Sequence, residues 1–226
     1  RSLLDQVFRA DELILWLSSE QFPDHARSLP SRLLAMQDEG LVIRWCKDLG
    51  PHKKYYCAMR ENPDAIVVTF DDDVYYDENA VAILYEAHLR HRDAVCARRA
   101  RRMKLTEEGV GPYCDWELYG CADEPRDDLV ATGVGGVLYP PHVMDDRLFD
   151  EATFMEAAPR ADDLWLKTMQ MLKGTPTVLA DTAFELKAVE GTQETSLYLT
   201  NQLQGKNDEA IRRIREALER EGVAVW

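Results

Sequence analysis

The chain has 226 residues, 27 of them Lys or Arg and 41 Asp or Glu, for a formal net charge of −14 at neutral pH. That length suits one large domain with a substantial core, and so acidic a balance argues against a general nucleic-acid binder, whose footprint is basic. No apolar run reaches the length of a transmembrane segment, the opening residues do not read as a signal peptide, and the five cysteines show no CxxC spacing, which predicts reduced thiols in a cytoplasmic setting and no thiolate zinc site.

In chain order, Ser2–Phe8 reads as the tail of a helix, so no strand precedes it. A sheet of the class that follows ordinarily opens with a strand, and a chain truncated at its amino end, lacking that first strand, is the expectation. Leu13–Leu17 is a short apolar strand, Pro30–Glu39 has helical spacing stopped by Gly40, and Leu41–Trp45 is a second strand. A helix over Lys53–Glu61 follows, then a strand over Ala65–Phe70, a helix over Asn79–His91 and a strand over Ala94–Ala97. The β-branched, continuously apolar run of the Ala65–Phe70 strand predicts burial on both faces. Strands separated by helices of this length imply right-handed crossovers and a mainly parallel central sheet flanked by helices, with ligands beyond the carboxyl ends of the strands.

After residue 98 the alternation stops. Arg98–Asp128 is polar and rich in charge, Gly and Pro, and is expected to wander over the surface. Leu129–Tyr139 returns as a strand-like segment broken by Gly133, Gly135 and Gly136, and Asp162–Leu172 is a helix with an acidic start and a Lys173-Gly174 stop. Thr177–Leu179 and Phe184–Leu186 read as short strands, Val189–Lys206 as a polar loop and Asn207–Glu221 as a charged helix. No linker divides the chain, so residues 1–98 and 99–226 are expected to be two halves of a single domain.

Chemistry concentrates in a few places. The strand Ala65-Ile-Val-Val-Thr-Phe-Asp-Asp-Asp-Val-Tyr75 ends in three consecutive carboxylates, Asp71, Asp72 and Asp73. Acids so close repel one another unless something positive lies between them, and a divalent cation with hard oxygen ligands is the simplest such partner. Magnesium or manganese completed by diphosphate oxygens fits, and it would neutralise charge on a departing diphosphate. Asp162 and Asp163 open a helix, where one acid can cap while the other, Asp163 if the first caps, points into a cleft as a general base. The glycines of Thr132-Gly-Val-Gly-Gly-Val137 suit either close approach of backbone to a ligand or a turn between strands.

Gly50-Pro-His-Lys-Lys54 opens a helix with two lysines, Lys53 and Lys54, which either hold phosphate or are solvated; His52 reads as structural or solvated. The basic run Arg98-Arg-Ala-Arg-Arg-Met-Lys104 meets a diphosphate or an anionic acceptor, or else balances nearby acids at the surface. Trp116, Trp165 and Tyr139 make either a sugar-stacking platform or core.

A strand ending in Val-Val-Thr-Phe-Asp-Asp-Asp-Val, a later Gly-Gly segment and an acid pair opening a helix, in that order, resemble the GT-A glycosyltransferases, those like glycosyltransferase family two most of all. Leu49-Gly-Pro-His-Lys-Lys-Tyr-Tyr56 resembles the corresponding stretch of bacterial polysaccharide transferases. The resemblance implies transfer of a sugar from a UDP- or GDP-sugar to a glycan or lipid-linked acceptor, in the cytoplasm or at the inner face of the membrane. It implies Asp73 and Asp71 at a Mn²⁺ or Mg²⁺ ion, Asp71 or Asp72 at the ribose, Asp163 as the base of an inverting reaction, and Gly135 and Gly136 lining donor sugar and acceptor. Many relatives supply a late histidine to the metal; no histidine follows His142 here, leaving Glu190, Asn207 or water for that position. A nucleotidyltransferase of the same layout and a non-catalytic nucleotide- or carbohydrate-binding module are the alternatives, with an aspartyl-phosphate phosphatase further off because Tyr75 stands where its motif wants threonine.

Overall fold

The structure, a computed structural model, describes residues 1–107, 109–190 and 205–226. Strand β1 (Leu13–Ser18) is joined to β2 (Leu41–Cys46) through a short helix α1 (Ser31–Ala35) that tightens into a 3₁₀ turn over Met36–Glu39. The two strands pair in parallel, from Leu13 opposite Leu41 to Ser18 opposite Cys46. Helix α2 (Lys53–Glu61), strand β3 (Val67–Thr69), helix α3 (Ala80–Arg90) and strand β4 (Val95–Ala97) complete the alternating part.

Beyond it come β5 (Ala100–Arg102), the small hairpin β6 (Leu105–Thr106) and β7 (Gly109–Val110), then β8 (Glu117–Leu118), β9 (Leu129–Ala131) and β10 (Val137–Tyr139). Helices α4 (Glu151–Ala157) and α5 (Asp162–Lys173), strand β11 (Thr177–Leu179) and helix α6 (Lys206–Arg220) follow. The α/β class expected from the sequence is therefore present, but the mainly parallel central sheet is not. The largest sheet has four strands in the order β11-β4-β10-β3. In it β11 runs parallel to β4, while β10 lies antiparallel to both of its neighbours. Strands β8, β5 and β9 make a second, antiparallel sheet, and β1 with β2 a third.

The reason for the difference is that periodicity identifies strands but not their neighbours. The glycine-broken segment splits into β9 and β10, which enter different sheets, and β10 inserts between β3 and β4. Both β1 and β3 are then sheet edges, and both line one cleft of about 2000 Å³. This also corrects the expected burial of the Ala65–Phe70 run. Ala65 and Ile66 are exposed and Val67 and Val68 half-buried, because β3 sits at the cleft edge, whereas β4, β9, β10 and β11 are buried throughout.

Three further expectations change. Ser2–Phe8 forms turns rather than a helix tail: its polar groups are used by other segments, Gln6 Nε2 donating to the Asp77 carbonyl (2.7 Å) and Val7 N to the Glu78 carbonyl (2.9 Å). The Arg98–Asp128 excursion contains strands β5 to β8, and its Trp116 is 1 % exposed, with Nε1 donating to the Gly111 carbonyl at 2.9 Å. Phe184–Leu186 is not a strand; only Ala188, further on, makes a single antiparallel bridge, to Val74. Most of the Val189–Lys206 loop lies outside the described residues.

The main core joins both parts of the chain: Tyr55 and Tyr56 of α2 pack with Phe154 of α4, Trp165 of α5 and Ile211, Ile214 and Leu218 of α6. Fully burying such side chains stabilises the fold by roughly 1.5–3 kcal/mol each. It also fixes the starts of α2 and α5 relative to one another, which is what places the charged groups described next.

Candidate functional site

The approach to α2 is set by Gly50 and Pro51. Gly50 has φ +56°, and a Cβ there would lie 2.8 Å from the Pro159 carbonyl oxygen, so only glycine lets this turn close on the residues ahead of α5. His52, fully buried, completes the junction. Its Nε2 lies 2.8 Å from the Ala158 carbonyl, which only accepts, so Nε2 donates and Nδ1 accepts from the Tyr55 hydroxyl at 2.9 Å. The ring stacks on Phe154. Burial holds the imidazole below its ordinary pKa, which keeps it in the neutral form this geometry needs. His52 is thus structural.

With the two helix starts locked, Lys54 enters a nest of acids. Its Nζ lies 2.8 Å from Asp71 Oδ1 and 3.0 Å from Asp162 Oδ2. Asp163 accepts the Gly133 amide through both oxygens, at 3.1 and 3.2 Å. Tyr76 closes the circuit: its hydroxyl accepts from the Asp71 amide at 3.0 Å and donates to the Val134 carbonyl at 3.1 Å. The carboxyl end of β3, the turn between β9 and β10 and the start of α5 are therefore tied into one wall of the cleft.

The two α5 acids differ in ionisation. Asp162 is 8 % exposed, and burial alone would raise its pKa; the adjacent Lys54 ammonium more than offsets this and holds it below the ordinary carboxylate range. For Asp163 the balance is reversed. Burial and the neighbouring Asp162 charge raise it to about 7, Lys54 and the Gly133 amide opposing them only in part. Neither acid caps the helix, contrary to the expectation that one would: Ala161 is the capping residue, and both acids sit inside the first turn. The protein thus has, in one cleft, a carboxylate poised to exchange a proton near neutrality beside one locked in its charged form.

The remaining expected site residues are distributed as follows. Asp72 is exposed and Asp73 half-buried; both line the cleft. Burial, then Asp71 and Asp72, push the Asp73 carboxyl above its ordinary pKa. The Asp73 backbone is pinned from outside the strand, its carbonyl accepting the Val189 amide and the Tyr75 amide donating to Lys187, each at 2.8 Å. Lys53 lines the cleft 3.7 Å from Asp48.

Gly135 and Gly136 do not line it. A Cβ on Gly136, at φ +87°, would lie 2.4 Å from the Phe70 ring, and one on Gly135 would lie 2.8 Å from the Arg99 amide. Both serve close packing beneath the site, and the glycine that faces the acids is Gly133, 3.1 Å from Lys54 Nζ by the same measure. Trp116, Trp165 and Tyr139 are buried core, not a stacking platform. Asn207 lines the cleft and Glu190 does not. Among the described residues no group of three or more His, Cys, Asp or Glu gathers around a metal-sized site.

Sequence reasoning missed Gly133, Tyr76 and the bridging position of Lys54. Gly133 was visible as one of three glycines, but only the tertiary arrangement separates a cleft glycine from packing glycines. Tyr76 carries no spacing signal, and Lys54, expected to hold phosphate or be solvated, instead pairs with two acids that nothing in the spacing brings to it. No protein-family model matches the chain, and no curated protein matches it significantly. The reading of the site therefore rests on its geometry.

Proposed function

We propose that the protein is a metal-dependent, inverting glycosyltransferase of the GT-A kind, acting on a UDP- or GDP-sugar and a glycan or lipid-linked acceptor. The observation that carries this reading is Asp163, half-buried on the cleft, held by the Gly133 amide and ionising near neutrality. In the reaction the acceptor hydroxyl oxygen bonds to the anomeric carbon as the bond from that carbon to the diphosphate oxygen breaks. The hydroxyl proton passes to Asp163, and the electron pair leaves with the nucleoside diphosphate. A base whose pKa matches the working pH is best suited to that transfer. Attack opposite the leaving group inverts the anomeric configuration.

Lys54 supports the step by pairing with both Asp71 and Asp162 and holding the Asp162 carboxyl in its charged form beside Asp163. Asp71 and Asp73 offer hard carboxylate oxygens on the cleft, and a Mg²⁺ or Mn²⁺ ion commonly takes one or two carboxylates and completes its shell with substrate phosphate oxygens and water. Such an ion would offset charge on the leaving group. No helix among the described residues is long and apolar enough to cross a membrane; the place of action proposed is the cytoplasm or its membrane face.

The test is a thermal-shift panel of nucleoside diphosphates with and without Mn²⁺, followed by donor hydrolysis and transfer. Stabilisation by one diphosphate only when metal is present is expected. Asp163→Asn should retain that stabilisation and lose about 10²–10⁴-fold in turnover. A flat response to every diphosphate, or an unchanged rate in the variant, overturns the reading. Release of pyrophosphate from a nucleoside triphosphate and a sugar phosphate would instead identify a nucleotidyltransferase.

A further inference from the structure

Tyr76 is buried, 6 % exposed, and does not line the cleft. Its ring lies edge-on to Phe70, with 4.6 Å between centroids, and packs with Val74 and Ala80. The loop that carries it is held from three directions. The Tyr76 amide donates to Ser2 Oγ at 3.3 Å, Gln6 Nε2 donates to the Asp77 carbonyl, and the buried Arg98 guanidinium pairs with the Asp77 carboxylate at 2.6 Å. A phenol on so restrained a loop is preorganised for the two bonds its hydroxyl makes.

Those bonds join groups with different proposed tasks. The Asp71 amide, two residues beyond β3, donates to the hydroxyl, which donates in turn to the Val134 carbonyl. Val134 lies in the 3₁₀ turn Gly133–Gly135 between β9 and β10. The first amide of that turn, Gly133 N, donates to Asp163, and the Gly136 amide closes the turn on the Gly133 carbonyl at 2.9 Å. Glycine at 133 lets the turn come close to both acids: a Cβ there would lie 3.2 Å from Asp163 Oδ1 and 3.6 Å from Asp71 Oδ1. The two carboxylates therefore border one small volume, and a single phenolic oxygen fixes the backbone beneath each. Lys54 joins Asp71 to Asp162 by charge, whereas Tyr76 joins Asp71 to the turn under Asp163 by hydrogen bonds.

We infer that Tyr76 is a positioning residue for the transfer step, setting Asp163 at a fixed distance from the strand-end acids that take the donor. The inference rests on the transferase reading of the same cleft and adds a residue behind its wall. A reacting group displaced by about 1 Å loses on the order of 10²-fold in rate. Without the hydroxyl, the Asp71 carboxylate still has Lys54 at 2.8 Å, whereas Asp163 is held through the loosened turn. The loss therefore falls on turnover more than on donor binding.

The experiment compares wild type, Tyr76→Phe, Asp163→Asn, the double variant, and Tyr75→Phe as a control whose residue is 54 % exposed. Phenylalanine at 76 keeps the ring packing and removes only the oxygen. Two quantities are read: steady-state hydrolysis of a panel of UDP- and GDP-sugars with Mn²⁺, and amide hydrogen exchange at Asp71 and Gly133. In Tyr76→Phe both amides should exchange about tenfold or more faster, because local opening of the turn becomes easier. Its kcat should fall by about 10–10²-fold while the donor KM moves by less than about threefold. Since Tyr76 acts through Asp163, adding Tyr76→Phe to Asp163→Asn should lower turnover by less than about twofold further. Tyr75→Phe should match wild type. A residue that only supports the fold would cut turnover equally in both backgrounds, and that additive result overturns the inference. A loss confined to donor KM overturns it as well, as does unchanged exchange at Gly133. If none of the proteins hydrolyses a donor or is stabilised by a nucleoside diphosphate, the transferase reading falls. It falls alone when exchange at Gly133 is faster in Tyr76→Phe, and the tie falls with it when exchange is not.

Discussion

The two acid groups on the cleft have similar composition and opposite character. Asp71, Asp72 and Asp73 stand at the end of an edge strand, one of them exposed and one half-buried without a cation of its own. Asp162 and Asp163 open a buried helix, and one of them shares Lys54 with Asp71. Water and any arriving cation can relieve repulsion at the strand end. At the helix start relief comes from Lys54, from the Gly133 amide and from a proton. The strand-end group is suited to taking up a ligand, and the helix-start group to holding a defined charge state.

The most severe way to break this contrast is Lys54→Met. It removes the ammonium from between two carboxylates, and an uncompensated charge in such a place costs about 3–5 kcal/mol. The depressed Asp162 carboxyl contributes stability above its unfolded pKa that disappears as pH falls through its folded one. The penalty of the variant should therefore be full at neutral pH and shrink in acid, as followed by urea unfolding across pH.

Asp163→Asn should act in the opposite direction. Its pKa rises to about 7 in the folded protein, so folding disfavours its charge; that loss of stability begins above the unfolded value of about 4, grows to about pH 7 and then levels off. The variant should be more stable than wild type by about 2–4 kcal/mol at pH 8 and no more stable at pH 3. Equal stability at both pH values would mean that Asp163 is not held near neutrality.

Gly136→Ala tests the backbone that connects the two groups. The new methyl meets the Phe70 ring, the residue just ahead of Asp71, from a backbone at φ +87°. A loss of about 1–3 kcal/mol is expected from overpacking and strain, visible as a lower Tm. The smallest effect belongs to Asp72→Asn. Its exposed side chain should change stability by less than about 0.5 kcal/mol, so any loss of metal-dependent diphosphate binding in that variant would report on the ligand alone.

How far the sequence could be read is clear from particular elements. Helices α2, α3, α5 and α6 lie within a residue or two of where apolar spacing and stop signals put them, because those signals are local. The Leu129–Tyr139 segment was recognisable as strand interrupted by glycine, yet nothing local said that its halves enter different sheets. The Arg98–Asp128 stretch read as surface because its composition is polar, although Trp116 within it is core. One aromatic anchor outweighs many charged neighbours once a hydrophobic partner is available, and that partner lies far along the chain.

By itself, the sequence determined which residues carry charge, where helices begin and end, and that carboxylates cluster at a strand end and at a helix start, since these follow from side-chain chemistry and backbone preference within a few residues. Tertiary structure alone decided that Lys54 bridges the two clusters, that Gly133 and not Gly135 or Gly136 faces them, and that Asp163 rather than Asp162 exchanges a proton near neutrality. Those outcomes depend on distances between segments far apart in sequence and on how much water each carboxylate keeps. Both are set by packing.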